Sequence, residues 1–250
     1  LVQLDVHELP GVDVAGYSGS YGVAGTPDES KASSAASADF SDSDGVLEHV
    51  TVSEDQVAAT EWTQKGGELS ASAQASEVVA HVGGIADLVT VSPIDSFAKC
   101  TAEGEPEVVL DGDAVSVSVL GAAIPTDGKR YDVEVTGEDI GKPEVDNGII
   151  KVWAESVVET GERSAEAWFN VRMEAKFFDA DGKRLDKGPL ADLQLGRVSV
   201  ECAPPVAEEP QPQLPVTGSS MLIPGLIGVA AVLVGVGALV LLRRRSAASQ

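Results

Sequence analysis

Residues Ser164 to Phe177 alternate without interruption. Odd positions are apolar (Ala165, Ala167, Phe169, Val171, Met173, Ala175, Phe177). Even positions are polar or amphipathic (Ser164, Glu166, Trp168, Asn170, Arg172, Glu174, Lys176). A period of two sorts these sets onto opposite faces of a strand, and no helix can do so. The run therefore demands a sheet with one buried and one wet face. At ~3.3 Å per residue, its 14 residues reach roughly 46 Å, long for a globular strand.

The preceding run has the opposite parity. Ile150, Val152, Ala154 and Val158 are expected to face the core, with Lys151, Trp153, Glu155 and Glu159 facing out. A hairpin turning at Thr160-Gly161 pairs Ile150 with Val171, Val152 with Phe169 and Ala154 with Ala167. That register sets Trp153 opposite Trp168 on the outer face and leaves Glu155 facing Glu166. A shift by two residues preserves the facing but separates the tryptophans.

Further strands are expected at Val115–Val119 and Tyr131–Val135, with a turn at Pro125–Lys129 between them. Ala191, Leu193 and Leu195 are apolar at odd positions, then Val198, Val200 and Cys202 at even ones. The flip places a β-bulge at Gly196. Asp179–Gly182 reads as a tight turn. Residues 51–99 read as strands, with a phase change near Glu77, although their alanine content leaves helix open. Residues 16–46 are rich in Ser, Ala, Gly and Asp, and read as long loops or a mobile segment. The expected fold is all-β: an antiparallel β-sandwich over residues 51–202. A partly flexible N-terminal extension, residues 1–50, precedes it.

Aromatic residues are only 4% of the chain, so the core must consist mainly of Val, Ala, Leu and Ile. The formal charge is −23, and all 40 acidic residues precede Gly218. The tail beyond holds three of the 17 basic residues, so residues 1–217 carry 14 bases against 40 acids, a net −26. Such a body is repelled by nucleic-acid phosphates and by anionic lipid.

Met221 to Leu242 contains 22 residues without a charge. As a helix they span roughly 33 Å, close to the ~30 Å hydrocarbon core of a bilayer. Pro224 falls in the first turn, where its missing N–H costs little. Arg243, Arg244 and Arg245 follow and, by the positive-inside tendency, stay cytoplasmic. Residues 1–220 are then outside. Just ahead stands Leu214-Pro215-Val216-Thr217-Gly218. The order LPxTG, apolar span, Arg-rich end resembles the cell-wall sorting signal of Gram-positive surface proteins, over residues 214–250. The resemblance implies that sortase, a membrane transpeptidase, attacks the Thr217 carbonyl with its cysteine thiolate and releases the amine of Gly218. An amine of a peptidoglycan precursor then resolves the thioester, leaving Thr217 amide-linked to the wall. The partners implied are sortase, peptidoglycan and, before processing, the cytoplasmic membrane. Ala203–Gln213 carries four prolines and reads as a polyproline spacer of roughly 34 Å, which keeps the folded part near the membrane or within the wall. The body loosely resembles wall-anchored secreted proteins of high-GC actinomycetes, which commonly carry an LAETG-type signal instead.

An exported body needs a secretion signal, and no Lys/Arg-led apolar segment opens the chain. The chain is therefore expected to begin after a signal peptide, or to be a fragment. The only two cysteines, Cys100 and Cys202, both end strand-like runs and are expected to form a disulfide tying the early and late parts of one β domain.

Catalytic signals are weak. His7, His49 and His81 are scattered, and Gly16–Ser20 fails the GxSxG elbow at its last place. Asp111/Asp113 and Asp179/Asp181 fit turns better than a calcium loop. No catalytic residue, metal or cofactor is expected. Trp153 and Trp168 are the candidate ligand contacts, since aromatic faces serve carbohydrate and peptide recognition. The bland alternative is cross-strand packing. The leading expectation is a non-enzymatic, wall-anchored surface protein whose β domain binds or spaces something in the envelope. An adhesin for a host or cell-surface ligand is the alternative, and a wall-acting enzyme a more remote one.

Overall fold

The computed structural model describes residues 1–28, 31–63, 68–101 and 103–202. The Pro-rich spacer 203–213, the LPVTG motif, the apolar run 221–242 and Arg243–Arg245 lie outside the described residues. Among the described residues, no helix is long and apolar enough to cross a membrane.

The described residues form sixteen strands. The first eight are β1 (Val2–Val6), β2 (Tyr17–Tyr21), β3 (Ser33–Ser37), β4 (Val50–Val52), β5 (Val57–Thr63), β6 (Glu68–Ala75), β7 (Val78–Ala80) and β8 (Val89–Ser92). They are followed by β9 (Ile94–Cys100), β10 (Pro106–Leu110), β11 (Ser116–Val119), β12 (Ala122–Ile124), β13 (Tyr131–Val135), β14 (Asn147–Thr160), β15 (Ser164–Phe178) and β16 (Arg184–Glu201). Three antiparallel sheets result: β13-β14-β15-β16-β1-β2, β10-β9-β6-β5-β3 and β12-β11-β8-β7-β4. The fold is all-β, and β15 and β16 lie against β6, β9 and β10 in sandwich fashion. One hydrophobic cluster runs through all three sheets.

The two five-stranded sheets are largely one array with a crease. β6 pairs with β9 as far as Ala75 opposite Ile94, and β7 resumes with β8 at Val78 opposite Val91 in the same register. β4 and β5, and β10 and β11, also follow one another across the crease, but with register shifts of one and two residues. At the crease the buried set changes from Ala71, Ala73 and Ala75 to Val78 and Ala80, the phase change read near Glu77. Pro93 sits there too, where no ladder N–H is needed. Asp55 ties the crease by accepting from the backbone N–H of Ser76 at 3.2 Å and from its hydroxyl. These bonds and one from the Ser53 side chain, the largest influence, hold the Asp55 carboxyl down at about 2.

In the long sheet, every odd residue of the Ser164–Phe177 alternation is buried. The bulge falls at Gly196: Ala167 faces Val198, but Phe169 faces Leu195, and Gly196 takes a φ of +61°. The turn at Asp179–Gly182 also forms, with Gly182 N–H donating to the Asp179 carbonyl at 2.9 Å.

Three expectations need correction. Residues 1–50 are not an extension. β1 is inserted between β16 and β2, with Leu4 fully buried opposite Leu193, so residues 1–202 fall in one compact unit. The β14–β15 hairpin does not turn at Thr160-Gly161. Gly161 N–H donates to the Ser164 carbonyl at 2.7 Å, centring the reversal on Glu162-Arg163, and Thr160 faces Ala165. Each residue of β14 therefore meets a partner four positions later than expected: Ile150 meets Ala175, Val152 meets Met173, Ala154 meets Val171. Thirdly, Val158 is 51% exposed and does not belong to the core.

Candidate functional site

The corrected register redraws the outer face of the long sheet. Trp153 stands opposite Arg172, and Trp168 opposite Val157. The tryptophans share the face but are not paired. Trp168 is four residues from Arg172 along β15, roughly 13 Å at strand rise. The like-charge pair becomes Glu159 opposite Glu166, and Arg197 relieves it by donating from Nε to Glu166 Oε1. The Arg197 guanidinium also lies over the Trp168 ring, 5.4 Å from its centroid, a cation–π contact on one ring face.

Between the tryptophans the face is polar. One cross-strand row reads Trp153, Arg172, Asp192, Asp5, Ser18, and the next reads Glu155, Asn170, Gln194, Gln3, Ser20. Arg172 Nε donates to Asp192 Oδ2 at 3.1 Å. The neighbouring acceptors are not served: Asn170 Oδ1, Asp192 Oδ1 and Gln194 Oε1 are each buried without a hydrogen-bond partner. Asn170 as a whole is only 8% exposed. An unmade bond at a buried polar atom costs about 1–3 kcal/mol. Three such atoms adjoining one another on one face are the most conspicuous polar irregularity of the described residues. Beside Gln194 and Arg197 opens a cavity of about 250 Å³ that reaches Ala58, Ala71 and Ala73 of β5 and β6.

The sequence reading named the two tryptophans and missed the acceptors between them. Asn170 already stood at a wet even position, and Asp192 and Gln194 alternate with Ala191, Leu193 and Leu195. Their parity was therefore available, but their adjacency depends on register.

Cys100, at the end of β9, and Cys202, just beyond β16, are bonded through sulfur, with Cα atoms 5.4 Å apart. His49 and His81 are backbone neighbours, with the His81 N–H donating to the His49 carbonyl at 2.7 Å, but their rings take separate partners. His49 packs on Tyr17 with ring centroids 4.2 Å apart, and His81 Nε2 lies 3.0 Å from Thr51 Oγ1. Among the described residues, no group of three or more His, Cys, Asp or Glu could hold a metal ion. Asp179 serves its turn, accepting from the backbone N–H of Asp181 and Lys183. Asp111 and Asp113 line an open acidic hollow with Asp127 and Glu155. There, hydrogen bonds from Lys129 hold the Asp127 carboxyl below the usual range. Compared with protein-family models, with curated proteins and with solved structures, the chain matches none.

Proposed function

We propose that this chain is a surface protein of a Gram-positive cell, joined covalently to peptidoglycan through Thr217 by sortase. Its β body is a non-enzymatic binding or spacing module of the envelope. The observation that carries the reading is the order of Leu214–Gly218, the uncharged run Met221–Leu242 and Arg243–Arg245. The apolar run and the arginines would arrest export and hold the pentapeptide just outside the bilayer, where a membrane-bound transpeptidase works. A glycine at 218 would leave space beside the scissile carbonyl, and a proline at 215 would favour a bent peptide. The body is compatible with an exported life: it is strongly acidic, and its two cysteines are bonded rather than free.

Mass spectrometry of fragments released by wall digestion tests the reading. The expected mature chain ends at Thr217 with a peptidoglycan fragment in amide linkage. Bulk protein retaining residues 218–250 in cells with working sortase refutes it and leaves a bilayer-tethered ectodomain.

A further inference from the structure

We infer that the outer face of the long sheet, between Trp153 and Trp168, binds a glycan chain. The inference goes beyond wall attachment, which would hold whatever this face contacts. Three features of the face converge. The orphaned atoms Asn170 Oδ1, Asp192 Oδ1 and Gln194 Oε1 are all acceptors, so the missing partner is a donor. Asp192 Oδ1 accepts whichever way the two neighbouring amides are turned. A metal cation is a poor partner, because its charge would face the guanidinium of Arg172 beside Asp192. An ammonium ion would meet the guanidinium of Arg172, already donating to Asp192. Neutral hydroxyl groups meet no such opposition.

The flanking side chains specify what carries those hydroxyls. Trp153 and Trp168 lie on the same face, separated by roughly 13 Å along the strands. Indole rings take the apolar C–H face of a sugar while its hydroxyls reach sideways to carboxylate and amide oxygens. The separation exceeds one pyranose ring, so the ligand is an oligosaccharide lying along β15. Arg172 is largely exposed, with 58% of its side chain accessible. Binding would require it to swing outward from Asp192 and admit hydroxyls to the buried acceptors.

The source of such a chain is either the cell's own wall glycan or a foreign polysaccharide. Isothermal titration of the full chain in detergent distinguishes them, using peptide-stripped wall glycan strands in one arm and cellotetraose in the other. Binding in either arm supports the site: wall glycan alone identifies the cell's own wall, and cellotetraose a broader β-glucan-type specificity. Trp153→Ala is expected to weaken binding about tenfold or more, as is Asn170→Leu. Asn170→Leu also separates binding from folding. It removes an unsatisfied buried acceptor, so its melting temperature is expected to stay level or rise while affinity falls. A residue there for stability alone would show the reverse. Absence of binding in both arms overturns the inference, as does affinity within about twofold of the parent in both variants. Neither result touches the linkage at Thr217, which the terminal mass decides.

Discussion

Replacing Gly196 by alanine sets two separable penalties against the fold. The first is conformational. Gly196 has a φ of +61°, and an L-residue held in the left-handed region costs about 1–2 kcal/mol. The second is steric. A Cβ built on Gly196 would lie 2.5 Å from Ile94 Cγ2 and 2.9 Å from Ser96 Oγ. Neither neighbour can withdraw freely: Ile94 is 1% exposed and Ser96 is 1% exposed, and the Ser96 hydroxyl lies within hydrogen-bond reach of the carbonyls of both Ala73 and Gly196. Overpacking of this kind costs about 1–3 kcal/mol, so Gly196→Ala is expected to destabilise by about 2–5 kcal/mol. Gly182 is the control. Its φ is +73°, and a Cβ there meets nothing within 4 Å, so Gly182→Ala carries only the conformational penalty of about 1–2 kcal/mol. Urea unfolding followed by tryptophan emission measures both, provided the slope against denaturant is unchanged. Equal losses in the two variants would show that the bulge does not press against β9, and the packing of β16 on β9 would have to be redrawn.

Other measurements probe the remaining parts. Changing both Cys100 and Cys202 to serine opens a loop with a sequence separation of 102. The expected loss is about 2–5 kcal/mol, and reductant added to the parent should reproduce it. Asp55 is held at about 2 in the folded chain, below its unfolded value of about 3.9. The stability it adds is therefore present above about pH 4 and disappears as pH falls toward about 2; the acid slope of the urea midpoint should flatten in Asp55→Asn. The register is tested by cysteine pairs under oxidation. Trp153→Cys with Arg172→Cys should cross-link, and Trp153→Cys with Trp168→Cys should not; the opposite outcome restores the register with facing tryptophans.

Facing was legible in the sequence because burial enforces it. Phe169, Val171 and Met173 cannot turn outward without carrying the whole strand with them, so their parity survives any pairing. The bulge at Gly196 was legible for the same reason: apolar positions change phase there, and a residue without Cβ stands at the change. β1 carries the same signal, with Val2, Leu4 and Val6 buried and Gln3 and Asp5 outside. It was overlooked because a five-residue run beside a Ser/Gly-rich segment does not name its partner. The pairing with β16 is a contact across nearly the whole body, and nothing local announces it. The crease was legible only as a phase change. That the strands on either side of it lie in different sheets follows from their packing, not from their order.

Register is a different matter, and the candidate site depends on it. Shifting the β14–β15 hairpin by an even step leaves every core residue in the core, so hydrophobic burial barely distinguishes one such register from the next. The choice falls to the turn, and Gly161-Glu162-Arg163-Ser164 carries no strong turn signature beyond one glycine. With the tryptophans opposed, the face would be an aromatic pair packing on itself, complete without a ligand. With Trp153 opposite Arg172, the rings stand apart and the polar rows between them come into line. An arrangement decided by one hydrogen bond from Gly161 N–H to the Ser164 carbonyl thus separates a self-satisfied surface from one with unfilled acceptors. The oxidation experiment accordingly bears on function as directly as on topology: if the double variant Trp153→Cys, Trp168→Cys closed a disulfide, the polar floor between the rings would vanish, and the glycan site with it.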